Sequence, residues 1–128
     1  MDAGFGKTLI TAYSSSPFFE YYIDDLLPIF NKRHIFLLDL NLLSHQLIMD
    51  ALQLEITTSK TNEYFKETYL KDYRKLAISK GELAYNLERY IQVFKQNHGF
   101  ISNLSILDLL FMEGPNALNY LESQNFNL

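Results

Sequence analysis

His98 and Asp108 are the two residues whose type and setting best suit proton chemistry. An unperturbed imidazole titrates near neutral pH, so His98 is a candidate general base. Its place just before Gly99, at the expected end of a helix, equally suits a donor facing the last helix carbonyls. Asp108 lies between Ile106-Leu107 and Leu109-Leu110-Phe111. A carboxylate among apolar neighbours needs hydrogen-bond donors or a cation, and Arg74 or Lys80 could supply the cation. It is either a structural bond or a site residue. In Asp72-Tyr73-Arg74, an extended backbone would put the acid and the guanidinium on one side. The planar fork of Arg74 suits a carboxylate or a phosphate. The plainer reading is a surface ion pair of little worth.

Other polar residues explain themselves structurally. Asn103 reads as a helix N-cap and Ser105 as a first-turn residue. Glu20 and Asp24 stand four apart on one helix face, where they meet either a cation or solvent. Asp24 and Asp25 are adjacent and point about 100° apart, so they do not share a site. His45 reads as a packing or surface residue, and His34 as solvent-facing in the turn after Pro28. The segment Gly4-Phe5-Gly6-Lys7-Thr8 ends like a phosphate-binding loop, but lacks the first glycine at the required spacing and a preceding strand. There is no serine nucleophile elbow and no paired-histidine zinc motif.

The elements that must position these residues are helices. A first helix is expected over Lys7–Tyr13, after a flexible lead. Ser16 and Pro17 suit the cap and first turn of a second helix, which Pro28 should end or kink near Leu27. Leu40, Leu43, Leu47, Ala51 and Leu54 recur at three- and four-residue steps and predict a third helix, with Asp39 as its cap. Glu55–Ser59 has β-branched residues and suits a short strand around Ile56, and a helical turn is read at Asn62–Phe65. A helix from Asn86 would carry Tyr90, Val93 and Phe94 and stop at Gly99, in the left-handed position that ends helices. Asn103 would cap a helix over Leu104–Met112. Gly114-Pro115 would break it and start a last one, fraying from Ser123. The fold class is thus mainly α, a small helical domain with at most one or two short strands. Residues 1–128 form a single domain, with 1–6 and 123–128 flexible.

Composition narrows the function. A chain of 128 residues is one domain, and its 48% hydrophobic content argues against disorder. With no cysteine, disulfides, thiolate zinc sites and cysteine nucleophiles are excluded. Three histidines leave little for a metal site, and none is expected. The net charge of −4 and the lack of a basic face beyond Lys32-Arg33-His34 set nucleic-acid binding aside. No apolar run reaches membrane-spanning length, and no signal peptide is evident, which fits the cytoplasm. No motif names a cofactor.

Longer blocks carry a resemblance. Gln92-Val93-Phe94, His98-Gly99-Phe100-Ile101, Asn103 to Phe111 and Glu113-Gly114-Pro115 resemble the C-terminal signature of the WbqC-like bacterial proteins. Thr11-Ala12-Tyr13 with Ser16-Pro17-Phe18-Phe19-Glu20-Tyr21-Tyr22 resembles a second block, and Asp72 with Arg74 a third. The likeness runs from about Ile10 to Leu121. It implies the C-terminal helical part of an α/β or α+β fold. It also implies a transferase role in surface-polysaccharide, including O-antigen, synthesis, with acyl or aminoacyl transfer to an amino sugar. On that resemblance His98 is the base, Asp108 orients a partner and Arg74 holds an anionic group. Asp72, Asn103, Glu20 and Tyr21 complete the substrate side, for a sugar or sugar nucleotide. Two departures stand out: the family's longer opening is absent, and Lys7-Thr8-Leu9 stands where a His-Trp pair is usual. Ser102 and Ile91 replace a common Pro and Tyr. The alternative function is a non-catalytic helical module that binds a protein partner or a second copy through an exposed apolar face.

Overall fold

A computed structural model describes residues 3–68, 70–77, 87–93 and 99–124. Among these residues the fold is mainly helical and has no strand. Helix α1 spans Ala3–Tyr13, α2 Phe19–Asn31, α3 Leu37–Leu52, α4 Ile106–Glu113 and α5 Ala117–Ser123. Single 3₁₀ turns cover Arg74–Ala77 and Gly114–Asn116. The expected strand at Ile56 and the helical turn at Asn62–Phe65 do not form.

Helix α2 is the centre of the molecule. Phe19, Tyr22, Ile23, Leu26 and Phe30 recur at helical spacing and are all buried. They pack against α1, α3 and α4. From α4 come Leu109, Leu110 and Phe111, and Phe111 has no exposed surface at all. Its ring sits 5.2 Å from that of Tyr13 and 5.3 Å from that of Phe19, both tilted. Such aromatic pairs add to the area they bury.

Several boundaries depart from the sequence reading. Helix α1 already starts at Ala3. Ser16 does not cap α2; its hydroxyl donates to the Tyr13 carbonyl and closes the end of α1. The entry to α2 is held instead by the Phe18 N–H, which donates to the Phe111 carbonyl at 2.9 Å. Helix α2 passes through Pro28 and ends at Asn31. Pro28 costs one helix hydrogen bond, about 1 kcal/mol, and a steric clash. Phe30, two residues beyond, is buried, which contributes roughly 1.5–3 kcal/mol and keeps the last turn helical. In α3 the cap position is Phe36, and Asp39 lies in the first turn. Leu40 is buried and Leu47, Ala51 and Leu54 pack on the core, but Leu43 stays 44% exposed.

The helix expected from Asn86 is also overturned: its described part, 87–93, is not helical. The reason is that its polar groups bond across the fold instead of along the chain. The Glu88 N–H donates to Gln124 Oε1 at 3.0 Å, and the Glu88 carbonyl accepts from the Tyr120 hydroxyl. The buried Gln92 amide donates to the Ile101 carbonyl at 2.8 Å and accepts from its N–H at 3.0 Å. Gln124, placed in the expected frayed tail, is thereby anchored. Asn103 does not cap α4. Ser105 does, accepting from the Leu107 N–H at 3.2 Å. Asn103 takes a left-handed conformation, φ 58°, in the turn before it.

Candidate functional site

The residues singled out by sequence fall in three places. Asp108 is in the core, 1% exposed. No cation approaches it among the described residues; Lys80 lies outside them, and Arg74 is engaged elsewhere. Two phenols satisfy it. The Tyr13 hydroxyl donates to Oδ2 at 2.8 Å and the Tyr90 hydroxyl to Oδ1 at 2.6 Å. Burial, then the hydrogen bond to Asp108, hold both phenols protonated well above their ordinary pKa of 10.0. This three-residue bridge ties α1 to α4 and to the 87–93 segment. The sequence shows that Asp108 needs donors or a cation but not which, and a hydroxyl that needs a partner is the expected company of a buried acid.

The second place is the loop ending at Arg74. Arg74 donates from Nε to Asp72 Oδ1 at 2.9 Å and from Nη2 to Oδ2. Nη1 donates to the Phe65 carbonyl at 2.8 Å, and Nη2 also to the Lys66 carbonyl at 3.3 Å. The guanidinium lies over the Tyr64 ring, 5.5 Å from its centroid. These bonds hold the Asp72 carboxyl at a pKa of about 2, against the usual 3.8. Arg74 thus closes the Phe65–Arg74 loop upon itself. Asn103 joins from the far side, its Nδ2 donating to the Leu76 carbonyl at 2.8 Å. A cavity of about 270 Å³ beside it is lined by Tyr90, Asn103, Tyr120 and Gln124 among apolar neighbours. Every one of those four side chains makes a bond within the fold, so this cavity is structural in character.

The third place is open. Tyr21 is 69% exposed, and its ring meets the buried Tyr22 edge-on with centroids 4.8 Å apart. Both line a groove between α2 and the end of α3, about 400 Å³, with Asp25, Asp50 and Gln53. The groove continues past Gly114, Pro115 and Asn119 as a smaller pocket of about 200 Å³. Gln53 ends α3 in the left-handed conformation, φ 59°, which costs a residue with a side chain roughly 1–2 kcal/mol. The Gln53 N–H donates to the Asp50 carbonyl at 3.1 Å and the Leu54 N–H to the Met49 carbonyl at 2.9 Å, the usual left-handed end of a helix. Among the described residues no hydrogen bond engages the Tyr21 hydroxyl, the Asp25 carboxylate or the Gln53 amide. Burial, then the neighbouring Tyr21, raise the Tyr22 pKa above its ordinary value. Glu20 is exposed beside Tyr21 on α2 but does not line the groove. Asp25, Asp50 and Gln53 went unrecognised, because only folding brings the end of α3 to Tyr21. His98 lies outside the described residues. No group of three or more metal-ligating side chains occurs among the described residues. No described helix is long and apolar enough to cross a membrane.

A family model, the WbqC-like protein family, matches residues 3–91. The chain belongs to the WbqC-like family. The match includes Glu20, Tyr21, Asp72 and Arg74, and all of α1, α2 and α3. It ends before His98, Asn103 and Asp108, so the longest block of likeness read from the sequence lies beyond it. No curated protein and no solved structure matches this WbqC-like chain.

Proposed function

We propose that this WbqC-like chain binds an amino sugar, free or nucleotide-linked, in the Tyr21 groove. It serves there as a cytoplasmic transferase of surface-polysaccharide (O-antigen) synthesis. The observation that carries the reading is an exposed aromatic ring with unengaged polar groups around it. A sugar presents C–H faces to such a ring and hydroxyl donors to carboxylates, and ligand sites combine apolar walls with a few polar groups in this way. In the reaction the sugar nitrogen forms a bond to the carbonyl carbon of an acyl or aminoacyl donor. The donor's carrier leaves with the bonding electron pair, and His98 takes the proton from nitrogen. Asp108 acts from the core, fixing Tyr13 and Tyr90. Asp72 and Arg74 shape their loop, with an Nη1 hydrogen of Arg74 left for an anionic group of the substrate, and Asn103 supports that loop.

Calorimetric titration with a uridine-diphosphate amino sugar tests the reading. Tyr21→Ala is expected to weaken binding tenfold or more, about 1.4 kcal/mol, with Tyr21→Phe close to the parent and circular dichroism unchanged in both. Equal affinity in Tyr21→Ala and the parent would remove the groove from consideration. The second reading, a non-catalytic interaction or oligomerisation module, draws on the exposed apolar residues that open α3. It is favoured if no sugar binds and the chain self-associates.

A further inference from the structure

We propose that the turn entering α3 docks on an anionic lipid surface. Four consecutive large apolar residues are exposed there: Ile35 at 85%, Phe36 at 65%, Leu37 at 71% and Leu38 at 53%. Ile35 and Phe36 precede α3, and Leu37 and Leu38 open it about 100° apart, so the four side chains do not share one flat face for a single flat partner to cover. A fluid medium that surrounds the protruding turn does, and the acyl–headgroup boundary of a bilayer is such a medium. The charge around the turn fits the same occupant. Lys32 and Arg33 are exposed and line one shallow depression with Phe36 and Leu43, where Asp39 is the one carboxylate. The patch is thus net positive in a chain of net charge −4, as attraction to anionic headgroups requires. The turn is also held in place. The His34 ring donates from Nε2 to the Ile29 carbonyl at 2.8 Å, fixing the segment to the end of α2. The contact is with the membrane surface, and it is independent of the Tyr21 groove.

The test is flotation of the 128-residue chain with vesicles of phosphatidylcholine alone and of phosphatidylcholine mixed equally with phosphatidylglycerol. Binding is expected on the mixed vesicles and much less on the neutral ones. Lys32→Gln with Arg33→Gln should weaken it about thirtyfold, from two cations near a charged surface. Phe36→Ser with Leu37→Ser should weaken it roughly tenfold or more at any charge. All four positions are exposed, so unchanged circular dichroism is expected in both variants. Absence of vesicle binding, or binding unaffected by both variants, overturns the proposal. So does a dimer in sedimentation that Phe36→Ser dissolves while vesicles remain unbound, since the patch is then a protein interface.

Discussion

At the scale of the residue, Asp108 decides how the two ends of the chain meet. Its carboxylate accepts from Tyr13, 95 positions earlier, and from Tyr90. Removing either hydroxyl leaves a buried carboxylate oxygen short of a donor, which costs about 1–3 kcal/mol. Tyr13→Phe and Tyr90→Phe should each lower the unfolding free energy by that amount, read as a lower urea midpoint with no change of slope. A loss of only a few tenths would mean that water replaces the phenol. The same bridge sets a pH dependence. Both phenols are raised above 10.0 in the folded chain, so the unfolded chain releases their protons first. The stability they bring is whole below pH 10 and is lost as pH rises through the higher folded values. Urea titrations should show that decline, and it should be shallower in Tyr13→Phe, which has one phenol fewer to titrate. The need of Asp108 for a partner was legible from its apolar neighbours alone. The partner was not, because nothing in local sequence says which hydroxyl arrives from the other end of the chain.

At the scale of the element, legibility followed burial periodicity. The apolar spacing read for α3 marks a real helix, whereas the signs read for α2 are Ser16, Pro17 and Pro28, two of which do not act as expected. Gly114-Pro115 separates α4 from α5 as its residue types require. Where elements were misjudged, polar side chains had taken over backbone bonding. Gln92 and Gln124 do so in the 87–93 segment, and Ser105 in place of Asn103 at the start of α4. Two glycines with positive φ show how surroundings separate similar positions. Gly99 and Gly114 both have positive φ, 66° and 54°. A Cβ at Gly99 meets nothing within 4 Å, whereas one at Gly114 lies 2.5 Å from the Phe18 ring. Gly99→Ala should therefore cost about 1 kcal/mol, the backbone term alone. Gly114→Ala should cost roughly 3 kcal/mol or more, since the buried turn is overpacked as well. Unfolding of the two variants side by side checks the difference. Equal losses would show that the Phe18 ring moves aside freely.

At the scale of the whole molecule, the family-matched region and the folding unit do not coincide. The WbqC-like match ends at residue 91, yet the core depends on residues beyond it. Leu109, Leu110, Phe111 and Ala117 are at most 4% exposed, and they pack with Leu9, Phe19 and Leu26 from the matched part. Asp108 adds bonds to Tyr13 and Tyr90, both inside the match. The Phe111 carbonyl holds the first turn of α2 through Phe18. Each of these links joins residues distant in sequence, so unfolding is expected to be all or none across the boundary. A fragment of residues 3–91 would expose the face of α2 that α4 covers. It would also leave two tyrosines without their acceptor. Such a fragment should show no cooperative urea transition, while the 128-residue chain shows coincident transitions by circular dichroism and tyrosine fluorescence. Fluorescence suits the comparison because the chain has nine tyrosines and no tryptophan. Adding a peptide of residues 99–124 should restore part of the transition, and the same peptide with Asp108→Ala should restore less. A cooperative transition in the fragment alone would mean that α1, α2 and α3 close their own core. The late helices would then be an appendage, free to carry a site without carrying the fold.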